Sequence, residues 1–101
     1  MKYPIQKVLI MGLGLHGGGV GAAKFFAKQS KEVIVTDLKL KKELLPSLAK
    51  LKQFKNIRYA LGKHRIKDFL SANLIIQGAG IPDDSPYLIA ARKNHIPIDT
   101  D

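Results

Sequence analysis

The chain has 101 residues, which favours one domain with a modest core and is too short for most complete α/β enzymes. It contains no cysteine, which excludes disulfides, thiol nucleophiles and thiolate metal sites, and its apolar runs fall far short of the ~20 residues of a membrane span. The net charge of +9 favours anionic ligands, but scattered lysines and 7% aromatic residues predict a solvated surface and no nucleic-acid partner.

The first predicted element is a buried strand over residues 6–11, followed by Gly12, Gly14 and Gly17 in G-x-G-x-x-G spacing. In such a loop the first glycine allows a tight turn, the second lets a phosphate approach, and the third lets helix and strand pack closely. The helix predicted over residues 17–29 would direct its unpaired N–H groups at this loop. The order of strand, glycine turn and helix therefore predicts an anion site.

Strand two is predicted over residues 32–36 and ends at Asp37, at about the 20-residue spacing at which nucleotide-binding units carry an acid. An acid at this place reaches a ribose or base of the ligand. Two alternatives remain open. The glycine turn could serve only to pack a helix on the sheet, and Asp37 could be a solvated acid at a strand end.

The rest of the chain continues the alternation of helix and strand, which is typical of a parallel sheet covered by helices. The further predicted elements are helices over residues 46–54, 66–71 and 86–93 and strands over residues 57–60, 73–77 and 96–98. Right-handed crossovers then predict an α/β, Rossmann-like fold with a five-stranded parallel sheet in the order 3-2-1-4-5. The ligand crevice should lie between strands one and four, and Pro97 should keep strand five at an edge.

Local patterns in the second half give four further expectations. Ser85 should cap the fourth helix, and Asn94 should end it in a left-handed conformation. Asp83 and the next acid should complement that helix's dipole rather than bind a metal, and His64 should lie in a surface loop. No histidine pair has metal-ligand spacing and no serine has a visible triad motif, so we predict no metal site and no catalytic residue in this chain.

Three motifs together resemble the N-terminal domain of the Mur ligases, over nearly the whole chain: GLGLHG at 12–17, VTD at 35–37 and IIQGAGI at 75–81. The chain is most similar to members that add D-glutamate to UDP-N-acetylmuramoyl-L-alanine. The resemblance implies peptidoglycan precursor synthesis in the bacterial cytoplasm, with ATP and Mg²⁺ forming an amide bond through an acyl phosphate. It also implies that this domain holds the UDP part of the substrate.

The resemblance assigns main chain around Leu15 and His16 to the diphosphate, the segment after strand two to the uracil, and the turn after strand four to the pocket wall. Two departures are notable. His16 stands where the family usually has Ser or Thr, and the turn after strand four lacks the usual Ser-Pro-Gly. The implied UDP-binding residues are Gly12, Gly14, Leu15, His16, Gly17, Asp37, Leu38, Lys39, Gly78, Ala79 and Gly80.

We therefore expect residues 1–101 to be one N-terminal UDP-substrate-binding domain, inactive in ligation by itself and binding no cofactor. The ATP-binding central domain and the C-terminal domain are expected to be absent from this chain, because no G-x-x-x-x-G-K-[ST] phosphate loop occurs in it. The alternative is an NAD(P)-binding Rossmann domain of a dehydrogenase or transport regulator, since the glycine loop and Asp37 fit both. A third reading is a folded module that binds no nucleotide.

Overall fold

The computed structural model describes residues 5–14 and 18–100. Five parallel strands form one sheet in the order β3-β2-β1-β4-β5, as predicted. The strands are β1 (Lys7–Met11), β2 (Glu32–Asp37), β3 (Ile57–Leu61), β4 (Leu74–Gln77) and β5 (Ile98–Thr100). The helices are α1 (Gly18–Lys28), α2 (Leu45–Ala49), α3 (Ile66–Leu70) and α4 (Pro86–Lys93), and a 3₁₀ turn spans Lys41–Glu43. Within the described part of the chain, no helix combines the length and apolar character that a membrane crossing requires.

The central strand β1 is apolar along almost its whole length because helices cover both faces of the sheet. Val8 and Ile10 face the layer formed by α1 and α2, whereas Leu9 and Met11 face the layer formed by α3 and α4. On α1, the residues packed into this core are buried: Val20, Ala23 and Ala27. The two hydrophobic layers fix β1 in the middle of the fold, with its carboxyl end at the point where the strand order reverses.

Helix α2 is shorter than the predicted residues 46–54 and ends at Ala49. Beyond it the chain continues as turns with i to i−3 hydrogen bonds, in which the Leu51 amide donates to Leu48 and the Phe54 amide donates to Leu51. Leu51 is fully buried and Leu48 packs against the same core. The apolar side chains of this segment therefore reach the core, although the last of them lies on turns and not on an α-helix.

Strand β5 begins two residues later than predicted, at Ile98. Pro97 has no N–H to donate, and the Ile96 amide donates to the Ala91 carbonyl at the end of α4. Pro97 contributes only its carbonyl, which accepts from the Ile75 amide of β4. The prediction that this strand lies at an edge of the sheet is confirmed.

The ends of α4 differ from both predictions. Ser85 makes no side-chain cap; only its main chain bonds, with the amide donating to the Pro82 carbonyl and the carbonyl accepting from the Ile89 amide. Asn94 has a φ of −99°, and the left-handed residue is His95 with a φ of 58°. Asn94 keeps a negative φ, with its main-chain amide donating to Ala90 and Ala91 and its side chain donating to Ala90, and the reversal falls on the next residue.

Helix α1 rests directly on the turn that follows β1, and Gly19 makes this possible. A Cβ on Gly19 would overlap the Gly12 carbonyl oxygen and lie 2.6 Å from the Leu13 Cα. Close packing was predicted for Gly17, which lies outside the described residues; among those described, Gly19 has this role. Gly21 is different, because a Cβ there would meet nothing within 4 Å.

Alanine substitutions at these two helix positions should therefore have opposite effects. Gly19→Ala should lower the free energy of unfolding by about 1–3 kcal/mol, because the obstacle is main chain that cannot rotate away. Gly21→Ala, the matched control, should raise it by up to about 1 kcal/mol through helix propensity alone. Urea unfolding measures both, and a stabilised Gly19→Ala variant would contradict the close packing.

Candidate functional site

A cleft of about 990 Å³ opens at the carboxyl ends of the central strands. It lies between the loops that follow β1 and β4, which is where the strand order predicts a ligand crevice. Its lining residues are Met11, Gly12, Gly14, Gly18, Asp37, Leu38, Lys39, His64, Gly78, Ala79, Gly80, Ile81, Pro82, Asp84, Ser85, Pro86 and Tyr87.

The turn after β1 forms one side of the cleft and needs glycine at two positions. Gly12 has a φ of 90° and Gly14 a φ of 74°, both in the left-handed region that L side chains rarely adopt. The Gly12 amide donates to the Thr36 carbonyl at 2.7 Å, so the turn starts as a continuation of the β1–β2 ladder. A Cβ on Gly12 would also approach the Ile81 Cδ1 to 2.9 Å across the cleft. The predicted tight turn at Gly12 is confirmed.

The carboxylate of Asp37 joins this turn to the end of β2. Its Oδ2 accepts from the Leu13 amide at 3.0 Å, and its Oδ1 accepts from the Lys39 amide at 2.9 Å. Asp37 is 8% exposed, so a charged acceptor satisfies two main-chain donors in a largely buried setting. The sequence predicted a ligand acceptor here, with a solvated acid at a strand end as the alternative, and the burial of Asp37 speaks against the alternative. The carboxylate also positions the turn after β1 and the segment after β2, and its remaining lone pairs can accept from a ligand.

The turn after β4 forms the opposite side and is held by Gln77. The Gly78 amide donates to the Met11 carbonyl at 2.9 Å, which brings this turn against β1. The Gln77 side chain is buried, and its Nε2 donates to the Ile81 carbonyl at 2.8 Å and to Asp83 Oδ1 at 2.9 Å. The prediction that Asp83 and Asp84 complement the dipole in the first turn of α4 is wrong, because α4 begins at Pro86 and its first turn holds no acid. The Asp83 side chain accepts from Gln77 instead and secures the loop.

His64 closes the floor of the cleft, and the prediction of a surface-loop histidine is wrong. It is 9% exposed, its Nδ1 lies 2.7 Å from Thr36 Oγ1, and its ring packs edge-on against Phe69 and Tyr87 at centroid distances of 5.6 and 5.2 Å. Burial lowers the pKa of His64, and the negative charge of Asp37 partly opposes this. The imidazole is therefore held neutral at neutral pH.

Most predicted site residues come together in this one cleft. Those that line it are Gly12, Gly14, Asp37, Leu38, Lys39, Gly78, Ala79 and Gly80. Leu15, His16 and Gly17 lie outside the described residues. Sequence reasoning missed His64 and Tyr87, and the only available signal was the position of His64 just after β3. Among residues 5–14 and 18–100, no group of three or more His, Asp or Glu side chains could hold a metal ion.

Residues 6–99 match the family model described as Mur ligase MurD-like, N-terminal domain. The chain belongs to the MurD-like Mur ligase family. The expected family is thereby confirmed, and the match covers β1 to β4, all but the last residue of β5, and the whole cleft.

Relatives of this Mur ligase domain are named UDP-N-acetylmuramoylalanine--D-glutamate ligase. The protein of Borreliella burgdorferi (strain ZS7) is 42% identical over 86 residues, covering 84% of this chain and 19% of its own length. The protein of Treponema pallidum (strain Nichols) is 42% identical over 97 residues, covering 95% of this chain and 18% of its own. The chain thus spans about a fifth of the length of the curated relatives it matches.

Solved structures agree on the fold. The UDP-N-acetylmuramate-alanine ligase MurC of Thermotoga maritima superposes with a TM-score of 0.65 and 23% identity, over 93% of this chain and 20% of that one. A minor L-lactate dehydrogenase of Enterococcus mundtii gives a TM-score of 0.50 and 20% identity, over 86% of this chain and 34% of that one. At these identities the likeness shows a shared Rossmann-like architecture.

Removing the charge of Asp37 should loosen the cleft. In Asp37→Asn the amide group presents a donor to one of the two main-chain N–H groups, so one hydrogen bond is lost and a donor is left unpaired. We expect the free energy of unfolding to fall by about 1–3 kcal/mol. The matched control is Asp84→Asn, an exposed acid on the other side of the cleft, which should change it by less than about 0.5 kcal/mol. Equal effects in chemical denaturation would contradict the role of Asp37.

Proposed function

We propose that this domain binds the UDP portion of UDP-N-acetylmuramoyl-L-alanine for a ligase that adds D-glutamate. The observation that carries the proposal is the convergence of the turn after β1, the end of β2 and the turn after β4 on one cleft, in a chain of the MurD-like family. The names of its relatives specify a ligase that joins UDP-N-acetylmuramoylalanine and D-glutamate. The role of each residue in binding is part of the proposal.

The diphosphate lies against the turn after β1 and the start of α1. The first N–H groups of a helix have no intrahelical acceptor, and the helix dipole adds partial positive charge there. Gly18, in the first turn of α1, and Gly14 both line the cleft, and neither has a side chain to keep a phosphate away. We assign the diphosphate to this end of the cleft together with Leu15, His16 and Gly17.

The uracil lies beside the segment that follows β2. The side chain of Leu38 is 65% exposed, which gives an apolar surface next to the cleft for a flat base. The carboxylate of Asp37 keeps acceptor capacity for a ring N–H or a ribose hydroxyl, and Lys39 adds positive charge near the phosphates. Opposite them, Gly78, Ala79 and Gly80 supply a wall of main chain with little side-chain bulk.

In this proposal the domain contributes binding and orientation, and the reacting groups come from elsewhere in a longer protein. ATP and Mg²⁺ belong to the ligase as a whole, held by a central domain, and a C-terminal domain takes the incoming amino acid. The domain alone is then inactive in ligation. Because its substrate is a precursor of bacterial peptidoglycan, the proposed setting is the bacterial cytoplasm.

A titration followed by ¹⁵N NMR tests this function against the dinucleotide alternative. UDP should shift the amide signals of Gly14, Gly18, Leu38, Lys39 and Ala79, because these residues line the cleft. Lys50 and Lys52 follow α2 and are not among the residues that line the cleft, so their signals should stay unchanged and serve as the internal control. NAD should bind more weakly than UDP.

Inorganic diphosphate and uridine, added separately, should divide the response. Diphosphate should shift the amide signals of Gly14 and Gly18, and uridine should shift those of Leu38 and Lys39. Tighter binding of NAD at the same amides, or a UDP response confined to residues outside the cleft, would overturn the proposed function.

A further inference from the structure

We propose that His64 is a positioning residue of the cleft, which fixes the turn after β1 through the hydroxyl and carbonyl of Thr36. Its consequence for ligand affinity rests on the proposed function, whereas its effect on the turn does not. The family match and the predicted site residues give His64 no role.

A short chain of hydrogen bonds connects His64 to the glycine turn. His64 Nδ1 lies 2.7 Å from Thr36 Oγ1, and the Thr36 carbonyl accepts from the Gly12 amide at 2.7 Å. Thr36 is fully buried, so its hydroxyl depends on the imidazole for a hydrogen-bond partner. This hydrogen bond holds the Thr36 side chain in one rotamer and fixes the position of β2 at this residue. Gly12 starts the turn, and its amide bonds to the Thr36 carbonyl, whose position the imidazole helps to fix.

The loop that carries His64 holds the neighbouring positions of β2 as well. The Gly62 amide donates to the Asp37 carbonyl at 2.9 Å and to the Lys39 carbonyl at 3.0 Å, with Gly62 at a φ of 88°. The loop after β3 therefore grips the end of β2 through main chain at residues 37 and 39 and through a side chain at Thr36. These hydrogen bonds hold in place the segment assigned to the uracil.

The other edge of the imidazole contacts the opposite side of the cleft. Tyr87, in the first turn of α4, packs edge-on against His64 at 5.2 Å, and Phe69 of α3 packs against both rings. His64 thus touches the β2 side through a hydrogen bond and the α4 side through aromatic packing. Its size and its Nδ1 atom together set the distance between the two sides.

Two variants separate positioning from direct ligand contact. Asparagine places a polar atom where His64 Nδ1 lies, so His64→Asn keeps a partner for Thr36. Glutamine places its polar atoms where His64 Nε2 lies. His64→Gln therefore loses the hydrogen bond to the Thr36 hydroxyl but keeps a polar group that could reach a ligand. Glutamine also fills more of the histidine's volume, so any advantage of asparagine comes from the hydrogen bond and not from packing.

The first measurement needs no ligand and is hydrogen exchange of the Gly12 amide. We expect exchange to speed up about tenfold in His64→Gln and to stay within about threefold of the wild type in His64→Asn. In a Thr36→Val background the difference between the two variants should vanish, because the hydroxyl that distinguishes them is gone. Lys63→Gln, an exposed neighbour in the same loop, is the control and should leave this amide unchanged.

The second measurement is the affinity for UDP by calorimetry. His64→Gln should weaken binding about fivefold to tenfold and His64→Asn by less than about threefold. Rescue by glutamine instead of asparagine, or equal exchange of the Gly12 amide in both variants, would overturn the positioning role. Should the wild type bind no UDP, the proposed function fails, and the exchange of the Gly12 amide still decides the role of His64.

Discussion

The cleft depends on one carboxylate that holds two main-chain amides in place. Asp37 accepts from Leu13 in the turn after β1 and from Lys39 in the segment after β2. A buried carboxylate with two N–H donors is a strong, charge-assisted arrangement, and removing it would leave donors unpaired where water has little access. It therefore fixes two of the three segments that line the cleft, and its position follows from the parallel pairing of β1 with β2.

The rest of the cleft is built from main chain in close contact, and glycine permits each approach. Gly12 and Gly14 take left-handed conformations, Gly19 lets α1 rest on the turn, and Gly78 brings the loop after β4 within 2.9 Å of the Met11 carbonyl. In the proposed function these turns offer main-chain amide groups, and the segment after β2 adds the side chains of Asp37, Leu38 and Lys39. On the side of the turn after β4, Gly78, Ala79 and Gly80 line the cleft with little side-chain bulk.

The sequence carried most of the fold because its signals were local. The glycine spacing located β1, the turn and α1, and the alternation of helix and strand gave the sheet order through the right-handed crossover rule. What it missed depended on contacts distant in sequence. His64 is buried through contacts with Thr36, Phe69 and Tyr87, all on other elements. Strand β5 starts late because the Ile96 amide donates to the Ala91 carbonyl of α4.

The most direct measurement is a crystal structure of this chain with UDP bound. The account predicts the diphosphate against Gly14 and the first turn of α1, with the uracil beside Asp37, Leu38 and Lys39 and the Asp37 carboxylate still bound to the Leu13 amide. UDP bound on another surface, or a cleft in which Asp37 releases the Leu13 amide to admit the ligand, would contradict it.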